Sequence, residues 1–162
     1  MKNLSKNKTC SFIGHRKTVS TPQLEARLET VIKELIEKNG VTVFLFGSKS
    51  RFDDLCLAMI TKLKERYPFI KRVYVRSMYP EIEKFYEKYI LESYDETYMP
   101  KGVEKAGRAA YVERNQAMID GSDFCVFYYD ENYRPEKRKS GTRIAYEYAK
   151  KKGKKIYNVY EG

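Results

Sequence analysis

The chain has 162 residues, of which 42% are hydrophobic, and a formal net charge of +10. That length suits one domain, 1–162, with a real buried core. No apolar run is long enough to span a bilayer, and Met1 to Lys8 is polar and basic with no apolar segment, so no membrane partner and a cytoplasmic setting of bacterial or phage type are expected.

Thr9 to Ile13 reads as a short strand that ends in Gly14-His15-Arg16. Ser20 and Gln23 have capping-box spacing, with Pro22 in the first turn. Leu24, Leu28, Val31, Ile32, Leu35 and Ile36 follow at helical spacing, and Asn39-Gly40 stops that helix. Val41 to Phe46 is a continuous apolar run, the sign of a strand covered on both faces, and it ends in the polar stretch Gly47 to Asp53. A second helix carries Leu55, Ala58, Met59 and Leu63 and stops before Pro68; a third strand spans Ile70 to Val75. Pro80 to Tyr94 has an aromatic helical pattern, and Tyr94 to Gly107 reads as an irregular loop. Ala109 to Asp120 is a helix bearing Glu113, Arg114 and Asn115; Asp123 to Tyr128 is the fourth strand. After a charged loop, Asp130 to Lys139, a helix runs from Ser140-Gly141-Thr142 to Lys152-Gly153, and Ile156 to Tyr160 closes the chain as a fifth strand. This alternation predicts an α/β fold with a mostly parallel five-stranded sheet and helices on both faces.

Ligands of such folds bind beyond the carboxyl ends of the strands, where strand order reverses. Three loops qualify: Gly14 to Arg16, Gly47 to Asp53, and Tyr129 to Thr142. Ser140-Gly141-Thr142 at a helix start offers free N–H groups and the positive end of the helix dipole to a phosphate; as a plain alternative it is only a cap. Gly14 and Gly47 either turn the backbone tightly or admit a phosphate. His15 is read as a ligand contact, with a structural role or acid–base catalysis as alternatives. Arg16 and Arg51 are phosphate ligands or surface ion pairs. Asp53 caps the following helix or accepts from a ribose hydroxyl. Arg114 is placed on phosphate, Asn115 on base or ribose, and Asp130 on sugar or base. The basic stretch Arg134 to Arg143 is a solvated face or a lid. Three cysteines, Cys10, Cys56 and Cys125, form no CxxC pair; buried free thiols, no metal and no cofactor are expected. The net charge favours anionic partners, though a solvated basic surface explains it too.

Taken together, Phe12-Ile13-Gly14-His15-Arg16, Phe46-Gly47-Ser48 with Phe52-Asp53, Glu113-Arg114-Asn115, and Ser140-Gly141-Thr142 resemble the SLOG superfamily, named for Smf/DprA and the LOG phosphoribohydrolases. The Phe-Ile-Gly-His-Arg opening looks most like its small standalone bacterial and phage members. The resemblance implies a Rossmann-like three-layer fold and a pocket for a nucleotide-derived small molecule, such as a nucleoside monophosphate or an ADP-ribose-like ligand. The phosphoribohydrolases carry Gly-Thr-x-x-Glu, whereas Ala145 stands at the glutamate's place here, and Lys139-Ser140 replaces a Pro-Gly-Gly lead-in. Glycosidic cleavage needs a carboxylate at the anomeric carbon. Glu147 lies about 200° further round the helix, so Glu113 and Asp130 are the substitute candidates. The favoured function is therefore binding without turnover, as a sensor or sequestering module. An N-glycosidase acting on nucleoside 5′-monophosphates is the alternative. A DprA-like binder of single-stranded nucleic acid is a third reading, and a homo-oligomer is left open.

Overall fold

The computed structural model describes residues 8–48, 50–77, 83–103, 108–133 and 139–161. The elements in order are β1 (Lys8–Gly14), α1 (Pro22–Asn39), β2 (Val41–Phe46), α2 (Arg51–Leu63), β3 (Lys71–Val75), α3 (Lys84–Ile90), β4 (Glu96–Tyr98), α4 (Arg108–Asp120), β5 (Phe124–Tyr128), α5 (Gly141–Lys151) and β6 (Lys155–Asn158). The sheet has six strands in the order β4-β3-β2-β1-β5-β6, and every neighbouring pair is parallel. The fold is α/β and Rossmann-like, with one strand more than the pattern predicts.

That extra strand is β4, which lies inside the stretch read as a loop. Glu-Thr-Tyr is too short and polar to show an apolar alternation. It is held by side chains instead: the Arg72 guanidinium forks onto both carboxylate oxygens of Asp95 at 3.0 Å, and Thr97 Oγ1 donates to the Tyr74 carbonyl at 2.8 Å. The aromatic helix is shorter than its pattern, with Pro80 to Ile82 outside the described residues, as are Lys49 and the loop 134–138.

Helix α1 is bounded by local chemistry. Pro22 opens it, where its missing N–H costs nothing. Gly40 closes it at φ 73°, a left-handed conformation that favours glycine. The N-cap is Thr21, whose Oγ1 accepts from the Leu24 amide at 3.0 Å, and not Ser20, whose hydroxyl donates to Glu25.

The two faces of the sheet carry separate cores. Helices α1 and α2 cover one, where Leu28, Ile32 and Ile60 meet Phe12, Phe44 and Phe46. Helices α4 and α5 cover the other, where Met118, Ile119 and Ala149 meet Leu45, Val75 and Phe127. Ser11 faces the second layer without an unmet polar atom: its hydroxyl bonds Met118 O and Ser122 Oγ. The three thiols are free and buried as expected, and burial pushes the Cys125 thiol up to about 12.

The chain steps outward from β1 to β4 on one side, then returns to lay β5 and β6 on the other. The reversal falls between β1 and β5, where Gly14 pairs with Tyr128. Gly14 has no left-handed backbone that would favour glycine, because among the described glycines positive φ occurs only at Gly40, Gly102 and Gly153. It is small because Phe52 packs on it: a Cβ there would lie 2.5 to 2.7 Å from Phe52 side-chain carbons. Gly14→Ala should therefore lower stability by about 1–3 kcal/mol through overpacking. Urea denaturation measures this, and an unshifted midpoint would show that Phe52 yields freely.

Candidate functional site

The loop after β1 and the loop after β5 are tied across the reversal. The His15 amide donates to the Tyr128 carbonyl at 3.3 Å, and the Asp130 amide donates to His15 Nε2 at 2.9 Å. A nitrogen that accepts an N–H carries no proton, so the ring is neutral with its hydrogen on Nδ1. Burial lowers the His15 pKa, and a hydrogen bond with the Asp130 backbone and then the Asp130 charge oppose this more weakly. The ring is 7% exposed and packs among tyrosines, with Tyr133 at 4.7 Å between centroids and Tyr129 at 5.9 Å. His15 is thus a structural tie through Nε2, which removes that nitrogen from acid–base work.

The loop after β2 points its amides at the protein's own carboxylate. Gly47 and Ser48 N–H groups donate to Asp53 Oδ2 at 3.2 and 2.9 Å. Asp53 is 2% exposed, and it is not the helix cap. Ser50 caps α2, its hydroxyl accepting from the Asp53 amide at 3.0 Å. Burial raises the Asp53 pKa, and the two amides and the Arg114 charge hold it back. Arg114 reaches in from α4, and its Nη1 donates to the Gly47 carbonyl at 2.6 Å. Its guanidinium is buried, and Asn115 Oδ1 accepts from its Nε and Nη2 at 3.3 Å. Gly47, like Gly14, has no positive φ. A Cβ there would sit 2.8 Å from Arg114 Nε and 2.9 Å from Met118 Sδ, so its smallness serves this contact. Gly47, Asp53 and Arg114 form an internal lock.

What remains open lies elsewhere. Arg16 and Arg51 are exposed, and their backbones are joined by the Arg51 amide on the Arg16 carbonyl at 3.1 Å. Ser48 is exposed as well. At the start of α5, the Ser140 hydroxyl accepts from the Arg143 amide at 3.0 Å, so Ser140 is a cap. The first-turn amides of a helix have no acceptor within it, which leaves those of Gly141 and Thr142 for an acceptor outside. A Cβ on Gly141 would meet nothing within 4 Å, and its φ is not positive. Neither packing nor backbone requires glycine at this position.

The carboxylates are placed as follows. Ala145 is 1% exposed, in the core beneath the helix start. Glu147 is exposed and paired with Lys139 at 2.9 Å and Arg143 at 3.1 Å, which hold its pKa down. Glu113 is half-buried on α4. Asp130 is half-buried at the reversal, where its Oδ1 accepts from the Asn132 amide at 2.9 Å. Among the described residues no group of three or more His, Cys, Asp or Glu could hold a metal, and no helix is long and apolar enough to cross a membrane.

Two contributors escaped the sequence reading. Tyr133 is 46% exposed and stands over the His15 ring. Asn158 accepts the Tyr129 amide and donates to the Tyr129 carbonyl, both at 3.0 Å, so β6 fixes the loop after β5. The signal for the first was Tyr128, Tyr129 and Tyr133 crowding one strand end; the second had none.

The His15 tie sets a pH dependence. The folded protein favours the neutral ring, so its folded pKa lies below the unfolded value of about 6.5. The stabilisation is complete above that value and is lost as pH falls through the folded pKa. Melting temperature should drop more steeply from about pH 7 to about pH 5 in the wild type than in His15→Gln, whose amide oxygen accepts the Asp130 N–H without titrating. Equal slopes would mean that the ring charges without breaking the tie.

Comparison with known proteins places this geometry. The sequence model of the YspA SLOG family matches residues 12–161, a range that includes every residue named above from Gly14 to Asn158. The chain is 31% identical over 146 residues to the uncharacterized SPbeta prophage-derived protein YoqJ of Bacillus subtilis (strain 168), covering 80% of this chain and 81% of that protein. With its parallel sheet, its reversal between β1 and β5 and its Gly-Thr helix start, this chain belongs to the YspA SLOG family.

Proposed function

We propose that the chain binds a nucleotide-derived small molecule, a nucleoside monophosphate or an ADP-ribose-like ligand, at the β1–β5 reversal and does not turn it over. Gly141 carries this reading. A residue that the fold does not require to be glycine, at a helix N-terminus with two amides left over, suits a ligand that comes close to the backbone. In this reading the phosphate sits on the Gly141 and Thr142 amides. Arg16 and Arg51 supply positive charge at the rim, and Asp130 and the exposed face of Tyr133 meet the sugar and base.

The reading of no turnover rests on α5, where alanine stands at the place of the phosphoribohydrolases' glutamate. Ala145 has no group to stabilise or attack an anomeric carbon. Glu147, the nearest acid along α5, is engaged outward by two cations. The internal lock also shifts the emphasis among the sequence candidates. Gly47, Asp53 and Arg114 support the pocket wall, and the ligand's own contacts fall to the β1 loop, the β5 loop and α5.

Gly141→Asp tests the phosphate position without threatening the fold. The space is open, and an acid in the first turn complements the helix dipole. Calorimetric titration of the nucleotides found by a thermal-shift screen should show affinity reduced about 10- to 100-fold, the loss of a charge-assisted contact, with the ligand-free melting temperature kept or raised. Unchanged affinity would place the anion elsewhere. Chromatography of the same mixtures should recover the nucleotide intact, and released base would reinstate the N-glycosidase.

A further inference from the structure

We propose that the end of the sheet opposite this site, around α5 and β6, binds the phosphodiester backbone of a nucleic acid. The parallel strands all start at that end. Lys8 opens β1 and Lys155 opens β6, with β5 between them: Phe124 pairs with Cys10 on one side and with Lys155 on the other. Lys150 and Lys151 end α5, Lys152 is its C-cap, and Lys154 lies in the turn into β6. Five of these lysines are exposed and Lys154 is half-buried.

Among the described residues no carboxylate pairs with any of the six, whereas Lys33, Lys64, Lys71 and Arg143 elsewhere are all in ion pairs. The acids at this end are otherwise engaged. Asp120 accepts from the Tyr148 hydroxyl at 2.8 Å, and Asp123 accepts from the Thr9 amide at 3.0 Å. Lys154 itself donates to the Asp120 carbonyl at 3.4 Å. The helix dipole accounts for cations in the last turn of α5. It does not account for Lys8, Lys154 and Lys155, which come from other segments to the same end of the sheet, Lys8 and Lys155 on its α1/α2 face.

The lysines are also interleaved with rings. Lys152 lies 5.4 Å from the centre of Tyr148, Lys155 5.9 Å from Tyr157, and Lys8 6.0 Å from Phe124. Cation–π contacts of this kind hold the ammonium groups at the surface without neutralising them. A regular polyanion fits such a field, and nucleic acid is the densest, with one charge per about 1.7 Å of duplex axis. An anionic membrane fits less well, because surface-bound proteins add inserted apolar side chains, and none of the exposed large hydrophobic residues lies on α5 or β6.

The test is fluorescence anisotropy of the full chain with labelled single-stranded and duplex oligonucleotides, from about 50 to about 200 mM salt. Affinity for at least one of the two should fall by about a hundredfold or more across that range. Replacing Lys151, Lys152 and Lys155 by Gln together should weaken binding and flatten the log–log salt slope by about 2 to 3, with an unchanged melting temperature as the check on folding. The pair Arg16→Gln and Arg51→Gln, at the other end of the sheet, should leave that slope alone, so this proposal and the nucleotide site fail separately. No binding of either nucleic acid at low salt, an unchanged slope in the triple variant, or binding of phosphatidylserine vesicles alone would each overturn it.

Discussion

The carboxylate of Asp53 is the interaction on which the carboxyl end of the sheet depends. It is almost fully buried, a position that disfavours charge. Two amides from the end of β2 and the nearby guanidinium of Arg114 offset that cost. The geometry joins both layers: Asp53 comes from α2 on one face, and Arg114 comes from α4 on the other. Between them the loop after β2 is gripped from above and below. Removing one member of such a set leaves a buried polar or charged group without its partner, a cost of about 1–3 kcal/mol or more.

That lock decides which loop is free to hold an anion. By sequence alone, the stretches after β2 and before α5 look alike, each a glycine followed by hydroxyls at a strand-to-helix turn. In the folded chain the first already holds a carboxylate from within. The second keeps two amides unassigned beside a glycine that nothing covers. The His15–Asp130 tie then sets the spacing of the two loops across the reversal, and Asn158 fixes the far side of the same loop. The loops at the reversal are therefore positioned by bonds among the protein's own groups.

The legible parts of this structure are those governed by local rules. Helix α1 shows its proline, its left-handed glycine and its apolar stripe in plain order, and its cap is misplaced by only one residue. The buried strand β2 is visible as an unbroken apolar run. Strand β4 is not visible, because its pairing depends on Asp95 meeting Arg72 from 23 positions away. The same limit applies to the site. Ser140 caps α5, the plain alternative in the sequence, through a partner three residues on, whereas the contacts of Asp53 and Arg114 with Gly47 arise only in the tertiary fold. Contacts between residues far apart along the chain leave no mark in a one-dimensional pattern.

The buried thiols have a consequence of their own. Cys10 and Cys56 belong to the core under α1 and α2, while Cys125 belongs to the core under α4 and α5. All three are held protonated by burial, and a thiol reacts through its thiolate. Native chain should thus resist alkylation and oxidation until it opens, with each cysteine reporting on its own layer. The molecule carries an internal clock for its unfolding, one that reads whether the two halves of the sandwich part together or in turn.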